Sequence, residues 1–320
     1  MSSLVSVLMP CYNNADTLTM ALASLIAQSY AHWECILVDD GSTDDPHKIA
    51  GLFRDPRIRV FRHAVNLGRP AARQSTMAHA TGSLIAMLDA DDWIYTDKLQ
   101  RHVDILDSDP SLSLVSGAFG IEDQRGRLCG VRGGRPDRSI VTGRNDSLVP
   151  HLPFAASIFR REIANGHTYD SRLEMAEDQD YLNRITAGRH YALLSDVLYV
   201  YRELRSATLD KALRTNACLQ KSILARRADF PVKSLWLTCR EKAKRPVYRT
   251  AHALGMWDAV VSRRSRQPTG AEQMKYLSQA EEVRAIAQWI TGTAKTPSAD
   301  TTILTGQERP HSCENRSGTE

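Results

Sequence analysis

The sequence lacks the short patterns that mark several common enzyme classes. Its ten histidines form no His-Glu-x-x-His pair, and its glycines form neither a Gly-x-Ser-x-Gly elbow nor a Gly-x-Gly dinucleotide fingerprint. It also contains no Gly-Lys dipeptide, so it has no Walker A loop. Serine hydrolases, P-loop NTPases and ordinary Rossmann dehydrogenases therefore lose support. The six cysteines contain no Cys-x-x-Cys pair, which argues against a zinc knuckle and a redox dithiol.

Long apolar segments and a strong excess of charge are also missing. No run approaches about 18 apolar residues, so no membrane-spanning helix is predicted. The short apolar run at residues 4–9 ends at Pro10 and favours a strand over a signal peptide. A net charge of +4 over 320 residues gives no reason to expect nucleic acid as a partner. We expect a reduced, cytoplasmic protein with one main core and a smaller appendage.

What the first 120 residues do contain is an alternation of strand and helix patterns. Short runs rich in Val, Ile and Leu predict strands at residues 4–9, 34–38, 58–61, 84–88 and 112–115. Helical periodicity covers residues 18–26, 45–53, 70–79 and 96–106. This alternation predicts an α/β fold with a mainly parallel sheet covered by helices on both faces. Ligands of such sheets bind beyond the carboxyl ends of the strands.

An acidic cluster, Asp89-Ala90-Asp91-Asp92, directly follows one of these predicted strands. Three carboxylates so close together repel one another unless a cation or buried donors offset their charge. Mg²⁺ and Mn²⁺ suit the cluster because such hard cations bind through one or two carboxylates plus substrate phosphates. An acidic turn at a helix start is the structural alternative. The strand-end position favours a divalent cation.

Two other strand ends carry polar groups suited to a nucleotide. Asp39 and Asp40 end the second strand and could accept hydrogen bonds from a base imide or a ribose hydroxyl. Tyr12 follows the first strand and could stack on a nucleobase or simply pack. Arg73 lies in a predicted helix, where its planar fork could neutralise a diphosphate or remain an exposed surface charge.

A second acidic run, Glu177-Asp178-Gln179-Asp180, opens a later helical pattern. Acidic residues are ordinary in a first helical turn because they complement the helix dipole. A carboxylate at this point could instead act as a general base toward an acceptor hydroxyl. The pattern alone leaves both interpretations open.

Taken in order, these segments resemble the family 2 inverting glycosyltransferases of the GT-A fold, over roughly residues 3–205. The matching segments are residues 5–13, 37–44, 66–68 with 72–73, 82–92, 97–99, 177–182 with 184, and 201–202. Each motif is weak alone, but the ordered set is specific. The resemblance implies a hexosyltransferase-type enzyme that uses a nucleoside-diphosphate sugar, of UDP or dTDP type, and Mn²⁺ or Mg²⁺.

The resemblance also implies roles for single residues. On the nucleotide side, Pro10, Tyr12 and Asp40 would line the nucleobase pocket, with Asp39 close by. Arg73 would lie near the phosphates or the sugar.

On the metal and acceptor side, Asp91 would ligate the cation that bridges the diphosphate. Asp89 would contact the ribose, the cation or a water bound to it. Asp178 matches the catalytic base, which takes a proton from the acceptor hydroxyl during a single inverting displacement. Asp92, which could serve only the start of a helix, Glu177 and Asp180 are supporting candidates.

The sequence departs from the family pattern at three points. Gln74 stands where many members have Asn. Many members also follow the Tyr-Arg pair with a His that can reach the metal, whereas this chain continues from Arg202 into Glu203-Leu204-Arg205-Ser206. The last metal ligand is therefore left open. Asp180 is close enough to Asp178 in sequence to be a rival base.

Beyond the resemblance the composition changes. Residues 1–208 are predicted to form the GT-A domain, with a nucleotide-binding half (1–120) and an acceptor half (121–208). Residues 209–292 form a basic helical region and residues 293–320 a disordered tail. Residues 211–266 carry 14 Lys or Arg and three acidic residues, with Trp236 and Trp257. This segment is either a solvated helical surface or a peripheral contact with anionic lipid at the inner face of a membrane.

The leading hypothesis is an inverting sugar transferase acting on a saccharide or lipid-linked acceptor in bacterial-type surface polysaccharide or glycolipid synthesis. A nucleotidyltransferase-like enzyme is the first alternative, although it would need a Gly-rich basic loop after the first strand, where this chain has Pro10-Cys11-Tyr12-Asn13. A non-catalytic protein that binds sugar nucleotides is the second. The acidic pairs at Asp89/Asp91 and Glu177/Asp178 argue against it.

Overall fold

The computed structural model describes residues 2–135, 137–146, 152–202, 208–228 and 230–293. The strands are β1 (Val5–Cys11), β2 (Trp33–Asp39), β3 (Ile58–Arg62), β4 (Leu84–Met87), β5 (Trp93–Ile94), β6 (Leu112–Glu122), β7 (Leu128–Arg132), β8 (Ile140–Arg144), β9 (Ile158–Arg160) and β10 (His190–Arg202). The helices are α1 (Ala15–Ile26), α2 (Pro46–Leu52), α3 (Arg69–His79), α4 (Lys98–Ser108), α5 (Glu177–Thr186), α6 (Leu209–Ala225), α7 (Pro231–Ala253), α8 (Trp257–Ser262) and α9 (Gly270–Thr291).

All of these strands join one mixed sheet. Its order is β3-β2-β1-β4-β9-β6-β10-β5, with β7 added beside β6 and β8 beside β10. The neighbours β3, β2, β1 and β4 run parallel, and so do β6 and β10, whereas β9 runs antiparallel between the two groups. The carboxyl ends of β1, β2, β4, β6 and β10 therefore meet at one edge of the sheet. The predicted α/β fold is confirmed, and the predicted elements lie within a few residues of their observed bounds except β6, which extends further.

The sheet is buried on both faces, as its continuous apolar strands require. In β1, Val5 and Val7 pack in one hydrophobic cluster, whereas Leu8 packs in the other. The first cluster lies under α1 and α4, and the second includes residues of α5. Both clusters hold the central strands rigidly, so the loops at the carboxyl edge have a fixed base.

The structure contains a hairpin, because β6 continues to Glu122 and β7 returns antiparallel beside it. The observed β6 is longer than the predicted strand since the long β10 runs parallel to it up to Arg202. The predicted division at residues 120 and 121 falls inside β6, so the two halves share one sheet.

The C-terminal region consists of helices that attach to the domain in two ways. In α9, Tyr276, Ala280 and Val283 are buried in the same cluster as residues of α1, so this helix completes the main core. Helices α6 and α7 pack mainly on each other, around Ile223 and Leu237. Among the described helices, none is both long and apolar enough to cross a bilayer. The tail beyond residue 293 lies outside the described residues.

Candidate active site

The loops after β1 and β2 are joined to each other by hydrogen bonds. Asn13 N donates to Ser42 Oγ (2.9 Å), and Thr43 N donates to Asn13 Oδ1 (2.9 Å). Asn13 has a left-handed backbone (φ 52°), which Asn adopts more readily than most residues. Tyr12 projects from this joined surface with 46% of its area exposed. Its ring and the partly buried Pro10 are therefore available to a planar ligand.

The adjacent aspartates at the end of β2 have different partners. Asp39 is buried, and its Oδ1 accepts the Ser42 N–H (2.8 Å). Its Oδ2 accepts no hydrogen bond from the described part of the chain and lies 3.4 Å from Arg62 Nε and 3.7 Å from His47 Nε2. Asp39 thus keeps an acceptor oxygen for a ligand.

Asp40 is saturated by the protein. Its Oδ1 accepts the Leu67 N–H (2.9 Å) and lies 2.7 Å from His63 Nδ1, and its Oδ2 accepts the Gly68 N–H (2.8 Å). These contacts fix the loop that leads into α3. Gly41 allows the close approach, since it has φ 74° and a Cβ there would lie 2.6 Å from the Val65 carbonyl carbon. The geometry therefore favours Asp39 over Asp40 for a direct ligand contact.

Asp92 is a structural residue, and the idea that it serves a helix start is wrong. Helix α4 begins only at Lys98. Asp92 is fully buried, with Oδ2 accepting from Tyr199 Oη (2.5 Å) and Oδ1 accepting from Arg202 N (2.9 Å), both on β10. Tyr199 Oη also accepts the Asp89 N–H (3.3 Å). Tyr199 therefore ties the acidic turn to β10.

Asp89 and Asp91 are the carboxylates of this turn that remain open to a ligand. Asp91 is partly buried, and within the described chain no side chain donates a hydrogen bond to it. Burial, followed by the charge of Asp89, raises the pKa of Asp91. A divalent cation would offset this repulsion, so the donor set fits Mg²⁺ or Mn²⁺. No group of three metal-binding side chains occurs in the described part of the chain. Such an ion would complete its shell with phosphate oxygens and water.

Arg73 connects the two acidic regions of the site. Its Nη2 donates to Asp89 Oδ1 (3.1 Å), and its Nε donates to Glu177 Oε1 (3.2 Å). Burial disfavours the guanidinium charge, but Asp89 and Glu177 outweigh that cost and raise the pKa of Arg73. Among the described residues the buried Nη1 finds no hydrogen-bond partner and is a spare donor. Arg73 thus brings the start of α5 beside the turn after β4.

At the start of α5 the two candidate bases differ sharply. Asp180 is buried, with Oδ2 accepting from Arg184 Nε (2.8 Å) and Oδ1 accepting from Ser222 Oγ (2.5 Å). Asp178 is only partly buried, and its Oδ1 accepts the adjacent Gln179 N–H (2.7 Å). Ala176, immediately before this helix, is held in the left-handed region (φ 59°), which is a strained position of the kind found at functional sites. Asp178 is therefore the more available carboxylate.

Sequence patterns missed a hydrogen-bonded network behind the acidic turn. Glu122 Oε2 accepts from Trp93 Nε1 (2.8 Å) and from Tyr276 Oη (2.8 Å). Glu122 Oε1 lies 3.3 Å from Arg202 Nε, and Arg202 N binds Asp92. Only the Tyr-Arg pair of β10 gave any signal, because the other partners lie far apart in sequence. The sequence left the last metal ligand open in the segment after Arg202. Residues 203–207 of that segment lie outside the described residues.

The mainly parallel sheet and its flanking helices have the architecture of the GT-A class. The sequence profile of glycosyl transferase family 2 matches residues 6–167, and the chain belongs to that family and is a glycosyltransferase. The putative glycosyltransferase EpsE of Bacillus subtilis (strain 168) is 30% identical over 208 residues, which are 62% of this chain and 73% of EpsE. The Escherichia coli glucosyltransferase WfgD is 34% identical over 103 residues, or 32% of this chain and 41% of WfgD.

Solved structures share the fold at low sequence identity. The mannosyltransferase PcManGT from Pyrobaculum calidifontis, in complex with GDP-Man and Mn²⁺, has a TM-score of 0.60 at 17% identity, over 91% of this chain and 88% of that chain. TarS 1–349 of S. aureus, in complex with UDP-GlcNAc, has a TM-score of 0.54 at 20% identity, over 90% and 83% of the two chains. These likenesses confirm the predicted GT-A architecture.

Proposed function

We propose that this glycosyltransferase transfers a sugar, with inversion, from a nucleoside diphosphate to a hydroxyl of a saccharide or lipid-linked acceptor. We also propose that the enzyme acts in the cytoplasm and contributes to a surface polysaccharide or glycolipid, as the sequence leads us to expect. The observation that carries the proposal is the Arg73 bridge between Asp89 and Glu177, because it joins the candidate metal turn to the start of α5, which carries the candidate base Asp178. WfgD is named for transfer from UDP-Glc to a diphosphoundecaprenol-linked acceptor, and TuaG of Bacillus subtilis for teichuronic acid biosynthesis.

The donor side follows from the open groups at the sheet edge. Tyr12 and Pro10 offer surfaces for a base, and Asp39 Oδ2 offers an acceptor for a base imide. Asp40 would act by holding the loop after β3. Asp89 and Asp91 would hold Mn²⁺ or Mg²⁺, which offsets the charge of a leaving diphosphate. The bound nucleotide sugars of TarS and PcManGT agree with this class of donor.

The acceptor side requires only one proton transfer. Asp178 would take the proton of the acceptor hydroxyl, and that oxygen would bond to the anomeric carbon as its bond to the diphosphate oxygen breaks. Attack from the face opposite the leaving group inverts the configuration without an enzyme nucleophile. The spare Arg73 Nη1 would donate to a phosphate or sugar oxygen. Asp180, bound by Arg184 and Ser222, would hold the helix instead.

Titration calorimetry with UDP, dTDP and GDP, with and without Mn²⁺, tests the donor site. We expect one nucleoside diphosphate to bind at least about tenfold more tightly with Mn²⁺, a difference of about 1.4 kcal/mol. Asp91→Asn should lose that gain because it removes the open carboxylate. Asp104→Asn, an exposed carboxylate on α4, is the matched control and should bind like the wild type.

A panel of nucleotide sugars, read out as released nucleoside diphosphate, then identifies the donor. Nucleotide binding that ignores Mn²⁺ and is unchanged in Asp91→Asn would contradict the metal assignment. No turnover with any donor, in a chain that binds a nucleotide normally, would contradict the proposed transfer.

A further inference from the structure

Helix α7 carries apolar side chains on the side that faces away from the protein. Val232, Leu235, Trp236, Val247 and Leu254 are 80%, 65%, 61%, 59% and 67% exposed. At about 3.6 residues per turn, their separations of 3, 4, 11 and 7 residues return to nearly the same side of the helix, so they form one stripe. We call this stripe, with the exposed Pro246 within it, the α7 outer face.

The outer face is additional to the face that packs α7 on the protein. The inner face buries Ser234, Leu237, Thr238 and Glu241, and Leu237 packs with Ile223 of α6. Scattered exposed apolar residues are normal on soluble proteins, but a continuous stripe along a whole helix marks a contact surface. Phe230 and Met256, which flank the two ends of α7, are also about half exposed.

The charges around the outer face are of one sign. Residues 231–253 contain a single acidic residue, Glu241, and that residue is buried. Arg240 Nη2 (2.9 Å) and Lys244 Nζ (2.7 Å) neutralise its carboxylate. The remaining cations include Lys242 and Arg249, which are exposed. The stripe is therefore bordered by positive charge and by no exposed carboxylate of this helix.

We propose that the α7 outer face docks this enzyme on an anionic lipid bilayer. An apolar stripe with a central Trp, flanked by Lys and Arg, is the pattern of a helix that lies in the plane of a membrane interface. The cations would meet anionic headgroups, and each one near such a surface adds to the affinity. A nucleic acid would explain the cations but not the exposed Val, Leu and Trp side chains. Trp257, by contrast, packs edge-on against Tyr248 and is not part of this surface.

The surface lies close to the acceptor side of the site. Helix α6 lies between α5 and α7, because Ser222 Oγ binds Asp180 (2.5 Å) and Asn216 Nδ2 binds Glu241 Oε2 (3.0 Å). Packed helix axes are about 8–10 Å apart, so with α6 between them the axes of α5 and α7 would lie roughly 20 Å apart. A docked enzyme would thus hold Asp178 near the headgroups. This placement favours a lipid-linked acceptor. That conclusion rests on the proposed function.

Vesicle co-flotation of the full-length protein tests the docking surface. The vesicles are phosphatidylcholine alone, or phosphatidylcholine with about 30% phosphatidylglycerol. We expect binding to the anionic vesicles only. The variants Leu235→Ser/Trp236→Ser and Lys242→Glu/Arg249→Glu should each weaken it at least about tenfold, because they remove apolar contact or reverse charge.

Matched controls distinguish binding through this surface from nonspecific adsorption to vesicles. Met274→Ser/Leu277→Ser removes two exposed apolar residues of α9, and Lys48→Glu/Arg125→Glu reverses two exposed cations of the catalytic domain. Both should bind vesicles like the wild type, and all four variants should keep Mn²⁺-dependent nucleotide binding. Because that binding needs no vesicle, failure of the docking surface is distinguishable from failure of the proposed function.

Three results would overturn the proposal. The first is a wild-type chain that does not float with anionic vesicles, and the second is equal binding to both vesicle types. The third is a wild-type dimer in light scattering that Leu235→Ser/Trp236→Ser converts to a monomer without changing flotation, since the outer face would then bind a second copy.

Discussion

At the scale of single residues, the carboxylates of the site differ in how many of their oxygens the protein already binds. Asp40, Asp92 and Asp180 each have both oxygens engaged by the protein. Asp91 and Asp178 are partly exposed and are bound much less by other groups. Because an engaged carboxylate cannot take a proton or a cation without breaking its contacts, the second pair is the better choice for chemistry.

Asp178→Asn should abolish transfer while leaving nucleotide binding within about twofold of the wild type. A positioned general base contributes roughly 10²–10⁴-fold in rate, and the amide cannot accept the proton. Transfer is measured as product formed under saturating donor, and binding by calorimetry.

Asp180→Asn is the companion variant for Asp178→Asn. It should lower the free energy of unfolding by roughly 1–3 kcal/mol, because Arg184 and Ser222 lose a charged partner, and the folded fraction should stay active. An inactive, stable Asp180→Asn beside an active Asp178→Asn would reverse the two roles.

Lys98 is a buried amine outside the site, and it predicts a dependence of stability on pH. Its Nζ has no hydrogen-bond partner among the residues that the structure describes, and burial lowers its pKa to about 7. The unfolded state keeps an ordinary pKa near ~10.4, so between these values it binds more protons than the folded state. Stability from this group therefore rises with pH by up to about 1.4 kcal/mol per unit, and its cost is greatest below pH 7.

Lys98→Met tests this sign. The variant should be more stable than the wild type at pH 6, with an advantage that shrinks as the pH rises from 7 to 9. Comparing the two proteins cancels the contributions of the buried thiols, since burial also raises the pKa of Cys11 to about 12 in both. Urea unfolding at each pH measures the difference. A stability difference that does not change with pH would show that Lys98 remains charged in the folded protein.

At the scale of elements, α9 is a structural part of the catalytic domain. Its Tyr276 hydroxyl donates to Glu122 and lies 2.9 Å from Gly126 O, at the turn between β6 and β7. Glu122 in turn faces Arg202, whose N–H binds Asp92 behind the acidic turn. The family profile ends at residue 167, so this support comes from chain beyond the matched region.

Tyr276→Phe should lower the free energy of unfolding by about 1–2 kcal/mol, because buried Glu122 loses a donor that nothing replaces. Tyr248→Phe is the control, since that hydroxyl has only a 3.3 Å contact with Arg264 at the surface, and its effect should stay within about 0.5 kcal/mol. Chemical unfolding of both variants measures the contrast. Equal effects would mean that the network behind the acidic turn adds no stability.

At the scale of the whole molecule, one sheet gathers the polar groups that are proposed to bind the donor. The strands that carry Asp39 and Asp89 and the strand that carries Arg202 all end at the same edge, although β9 runs the opposite way between them. Arg73 then joins this edge to α5, and α6 joins α5 to α7. These contacts thus link the proposed nucleotide-binding edge to the proposed membrane surface.

The elements and the acidic strand ends could be predicted from the sequence by itself. Strand and helix periods are local properties, and the runs ending at Asp39 and Asp89 show them over a few residues. Parallel strands also place their ends at one edge, which made the site predictable as a region. The order of the family motifs likewise made the class of enzyme predictable.

Only the tertiary structure decided which member of each acidic run is free. Asp92 is engaged by Tyr199 and Arg202, Asp180 by Ser222, and Glu177 by Arg73, through contacts that span 42 to 110 residues of chain. Neighbouring aspartates have the same local sequence context, so no local pattern can separate them. The fold separates them because a buried carboxylate must find donors, and those donors come from strands and helices far along the chain.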